Sequence, residues 1–133
     1  MRKEVDSMSL PLKTLNCEGG YFVMADITDC IDLIPKKYLT QHEYEDPTDP
    51  NPVNKYHLNK ADGTIPKDLA FCRWMAHHHR VAMMPNSFFY TLGSPNLTDK
   101  YVRMAICKKH EDTVKCIESM KGIKVEPTPR AKL

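Results

Sequence analysis

Apolar residues in this chain gather in short blocks, separated by stretches in which proline and small polar residues take over. Tyr21-Phe22-Val23-Met24-Ala25-Asp26-Ile27 is aromatic and branched, which predicts a buried strand, and Gly19-Gly20 before it supplies a freely turning backbone. Tyr101 to Cys107 predicts a second strand, and Val81-Ala82-Met83-Met84 a short apolar one halted by Pro85. Leu69, Cys72, Met75 and Ala76 recur at helical spacing beside Phe71 and Trp74, so a helix is expected after Pro66. Asp68 is its N-cap or first-turn acid, and it ends near His78. A last helix starts around His110, where Glu111 and Asp112 complement the positive helix terminus. Its apolar stripe is Val114, Ile117 and Met120, and Gly122 is the natural stop.

The intervening segments read as turns. In Ser9-Leu10-Pro11-Leu12 the proline bars a helix, so residues 1–18 are a lead-in. Pro35, Pro47, Pro50, Pro52 and Pro66, set among Asp, Asn, Thr and Gly, predict a long loop over 29–66. Gly93-Ser94-Pro95-Asn96 marks a turn, and Pro127 and Pro129 make 124–133 a loose tail. The order strand, loop, helix, strand, strand, helix builds an α+β two-layer domain over 19–123, a small sheet covered by helices on one face. No internal repeat is visible.

Composition narrows the function. With 133 residues, 41% hydrophobic and a mean hydropathy of -0.50, the chain suits one modest core. No apolar run approaches a membrane span, and Met1 to Asn16 lacks the pattern of a signal peptide, so an intracellular protein is expected. Its 19 basic and 17 acidic residues are scattered, for a net charge of +2, which disfavours nucleic acid and anionic lipid as partners. Cys17, Cys30, Cys72, Cys107 and Cys116 form no Cys-x-x-Cys pair and read as reduced thiols, not a zinc site. His77-His78-His79 cannot converge on one ion, because consecutive helical residues point about 100° apart. A solvated helix end is expected there.

The sharpest candidate for chemistry is Arg103, a guanidinium among Tyr101, Val102, Met104, Ala105 and Ile106 that needs an anionic partner or an open face. Its planar fork matches a carboxylate. Phe88, Phe89 and Tyr90 follow a Pro-x-Ser turn and read as core or as the wall of a ligand site. Asp49-Pro50-Asn51-Pro52 lacks a following glycine, and Thr64-Ile65-Pro66-Lys67 lacks a phosphate-binding context, so neither is taken as a cofactor element.

Four blocks in fixed order, Gly19-Gly20-Tyr21-Phe22-Val23-Met24-Ala25-Asp26, Phe71-Cys72-Arg73-Trp74-Met75, Met84-Pro85-Asn86-Ser87-Phe88-Phe89-Tyr90 and Tyr101-Val102-Arg103-Met104-Ala105-Ile106-Cys107-Lys108, resemble the C-terminal end of a kynurenine aminotransferase. These enzymes are also called glutamine transaminases or cysteine-S-conjugate β-lyases and use pyridoxal phosphate. The resemblance covers Gly19 to about Ile123, roughly the last third of the family's chain, and implies the small C-terminal domain of a fold-type-I aminotransferase. It implies that Arg103 holds the substrate α-carboxylate and that Phe89 lines the side-chain pocket, with Asn86 a departure from the Gly or Val usual in that turn.

The Schiff-base lysine and phosphate cup of the family lie upstream of the first block, so no cofactor and no catalytic residue is expected on this chain alone. The implied role is a C-terminal fragment or split half of an aminotransferase, cytoplasmic or mitochondrial. Its expected partners are a large-domain chain and an amino acid or oxoacid. The alternative is a catalytically inactive, transaminase-derived subunit of a larger assembly.

Overall fold

The computed structural model describes residues 8–40, 64–91 and 94–123. Four strands form one antiparallel sheet in the order β1 (Lys13–Thr14), β2 (Phe22–Asp26), β4 (Tyr101–Ala105), β3 (Met84–Pro85). Among the described residues three α-helices, α1 (Lys36–Thr40), α2 (Lys67–His79) and α3 (His110–Lys121), accompany it. This is a small α+β domain.

The two predicted long strands form the centre of the sheet, with Val23 opposite Met104 and Ala25 opposite Val102. Because side chains alternate across a strand, this register sends Val23, Ala25, Val102 and Met104 to one face, and all four are buried. Phe71, Met75, Ile117 and Met120 from α2 and α3 join them in a single core. Gly20 precedes β2 at φ 95, a conformation that a side chain would strain.

Several expectations need correction. Leu10 and Leu12 lie either side of Pro11, each 1% exposed, and Lys13–Thr14 then pairs with β2, so part of the lead-in belongs to the sheet. Proline forbids a helix there but tolerates extended chain. The first part of the expected loop is ordered as a 3-10 helix over Thr28–Leu33 and then α1. Pro35 directly precedes α1, where the missing N–H costs nothing, so a residue read as a breaker is also a helix start. Residues 41–63, with the Asp49-Pro50-Asn51-Pro52 stretch, lie outside the described residues, as do Gly93 and the tail.

Pro85 does not halt β3 but belongs to it. The strand lies at the edge of the sheet, where a residue without an N–H leaves no ladder bond unmade. α2 ends at His79 through Arg80, at φ 55, whose N–H and that of Val81 return to the Met75 carbonyl. Gly122 stops α3 at φ -71, so its access to left-handed backbone is unused. In the two helical stripes Ala76 and Val114 are exposed, whereas Ile117 and Met120 are buried.

Candidate functional site

The strand register that buries one sheet face leaves the other to Phe22, Met24, Asp26, Met84, Tyr101, Arg103 and Ala105. On this face Phe22 is 43% and Met84 41% exposed, while Met24, Tyr101 and Arg103 are partly covered. Arg103 occupies the middle of β4, directly opposite Met24 on β2 and Met84 on β3. The cation therefore stands on an apolar floor.

Phe89 reaches it from the turn after β3. Its ring centroid is 3.7 Å from the Arg103 guanidinium carbon, a face contact of the cation–π kind. Stacking of this kind covers a plane of the guanidinium and leaves its in-plane donors for a ligand. Arg103 Nε is buried and has no hydrogen-bond partner among the described residues. Arg103 and Phe89, 14 residues apart in sequence, are thus brought into contact.

The placement of Phe89 depends on a carboxylate that the sequence reading took only as a helix-start acid. Asp68, in the first turn of α2, is fully buried. Ser87 donates to it twice, from N–H to Oδ2 at 2.7 Å and from Oγ to Oδ1 at 2.8 Å, and the Leu69 N–H donates to Oδ1 at 2.8 Å. Asp68 therefore ties the 3-10 turn Asn86–Phe89 to α2. Burial pushes its carboxyl above the ordinary range, against the hydrogen bonds from Ser87 and Leu69 that pull it down. A signal existed in the sequence, since a strand-end Ser-bearing turn and an acidic first turn are natural partners, but a separation of 19 residues hid the pairing.

Asp26 shares the open face but is engaged nearby. Thr28 donates to its Oδ1 from both N–H and hydroxyl. Burial raises the Asp26 carboxyl, yet these bonds and the charges of Lys13 and Lys100 bring it below its usual value. Lys13 meets Asp29 at 2.6 Å.

The histidine run packs against aromatics. Tyr38 lies 6.2 Å from His77 and 5.8 Å edge-on from His78, and His79 lies edge-on to Trp74 at 5.5 Å. Among the described residues no group of three or more His, Cys, Asp or Glu side chains is arranged to hold a metal. Nor does any described helix have the length and apolar character to cross a membrane.

Phe88 and Phe89 are 44% and 54% exposed, so the aromatic cluster is a surface feature and not plain core. Tyr90 is partly covered. Beside Arg103 on this face stand Met24 and Met84 across the strands and Tyr101 and Ala105 along β4. Comparison with protein-family models and with curated proteins finds no match for this chain.

Proposed function

We propose that this chain is the small-domain part of a kynurenine- or glutamine-type aminotransferase, incomplete without a large-domain chain. In this reading Arg103 clamps the substrate α-carboxylate and Phe89 lies along the substrate side chain. The cofactor, its lysine and the proton transfers belong to the family's large domain. One observation carries the reading: the two residues singled out by the resemblance meet on an apolar sheet face, and the arginine has a buried Nε without a partner among the described residues. A guanidinium on such a floor gains most from a carboxylate delivered by a ligand.

The open face also favours a second reading, a transaminase-derived structural subunit of a larger assembly. Phe22 and Met84 on this face, with Phe88 and Phe89 in the turn after β3, are each more than 40% exposed, and apolar side chains grouped at a surface mark partner contacts. Purification of the chain from its source separates the two. A co-purifying chain with a borohydride-reducible chromophore, and transamination of kynurenine or glutamine by the complex, is the expected result. An assembly free of both would overturn the aminotransferase reading in favour of the structural one.

A further inference from the structure

The left-handed turn at Arg80 directs residues 80–83 along the end of β4 and the first turns of α3. Between these elements lies a cavity of about 340 Å³. Val81, Met83, Met104 and Cys116 give it apolar walls, while Arg80 and Lys108 bring two cations. Neither cation forms an ion pair among the described residues. The acid in the lining, Asp112, stands in the first turn of α3, where the helix dipole already complements it. This volume lies within the range of small-molecule sites.

We propose that the cavity binds a small amphipathic carboxylate, with the apolar body against Val81, Met83 and Met104 and the carboxylate between Arg80 and Lys108. The site uses none of the residues assigned above to the aminotransferase substrate. Its charge pattern selects the ligand. A neutral apolar molecule would leave the excess positive charge of the lining unanswered, and an inorganic anion would leave the apolar walls wet; a carboxylate on an apolar body meets both demands. The backbone points the same way, because Arg80 holds φ 55, a conformation that glycine adopts without strain. The Arg80 side chain forms no hydrogen bond or ion pair among the described residues that would offset this strain.

The test uses the full chain and 3-phenylpropionate, with 3-phenylpropionamide as the uncharged control. Alkylation by N-ethylmaleimide, read peptide by peptide by mass spectrometry, reports occupancy at Cys116, which lines the cavity, while exposed Cys107 is the internal reference. The carboxylate at millimolar concentration is expected to slow Cys116 alkylation several-fold and leave Cys107 unchanged, whereas the amide does neither. Arg80→Gly should raise the dissociation constant about tenfold, the scale of one lost charged hydrogen bond. Because glycine suits this backbone, the variant stays folded, and loss of binding is not loss of structure. Lys108→Ala is the second variant, with a similar expected loss. Absence of Cys116 protection, equal protection by the amide, or unchanged affinity in both variants would each overturn the proposal.

Discussion

Replacing Asp68 by alanine should separate the turn that carries Phe89 from the helix that anchors it. The substitution removes one carboxylate and strands three donors, the Ser87 N–H, the Ser87 hydroxyl and the Leu69 N–H, all held at 2.7–2.8 Å in the native fold. Each bond to a charged acceptor is worth about 1.5–3 kcal/mol, but the contributions do not add, and removal of a buried carboxylate returns part of its desolvation cost. A loss of about 3 kcal/mol is expected, a substantial share of the 5–15 kcal/mol typical of a domain. Urea unfolding followed by circular dichroism would register it as a midpoint lower by roughly 1–3 M.

Asp68→Asn keeps the shape but turns an amide donor toward the Ser87 N–H, so it should cost nearly as much. A double-mutant cycle of Asp68→Ala with Ser87→Ala should show coupling of about 1 kcal/mol or more. The pH dependence has a defined sign. Burial raises the Asp68 carboxyl, so the folded state holds this proton more tightly than the unfolded chain. Its contribution is then complete below the unfolded value of 3.8 and declines as pH rises through the folded one. The stability gap between wild type and Asp68→Asn should narrow over that interval. A loss under about 0.5 kcal/mol for Asp68→Ala, or no coupling to Ser87, would refute the assignment of this carboxylate as the tie between α2 and the Phe89 turn.

Other outcomes follow from the same structure. Arg80→Gly relieves the left-handed strain at the end of α2 and should stabilise the chain by about 0.5–1 kcal/mol, read as a higher urea midpoint; a lower midpoint would contradict the observed backbone conformation. A native thiol titration should modify Cys17 and Cys107 promptly and leave Cys30 and Cys72 until unfolding, since burial pushes the Cys30 thiol up to about 12 and that of Cys72 higher still. In a complex with a complementing large-domain chain, Arg103→Lys should weaken amino-acid binding by about 1.5–3 kcal/mol, because a point charge replaces a two-pronged donor, and unchanged affinity would remove Arg103 from the carboxylate site. The isolated chain should self-associate through its open face, so light scattering from a clean monomer at high concentration would argue against an unmet partner surface.

The sequence by itself determined the elements whose periodicity is strong. The alternation in β2 and β4 and the apolar spacing of α2 and α3 each reflect one face packing against one core, so local pattern was enough to locate them. The place of Arg103 within a strand was also legible, because it is flanked by apolar strand-forming residues. Tertiary structure decided what depends on a partner distant in sequence. Lys13–Thr14 became a strand by pairing with the edge of β2, and Met84–Pro85 accommodates a proline because its outer edge meets no other strand among the described residues. The choice of sheet face for Arg103, and its contact with Phe89, followed from the β2–β4 register and from the bond between Asp68 and Ser87. Such pairings leave little local trace, since hydrogen bonding and burial act between residues brought together only by the folded chain.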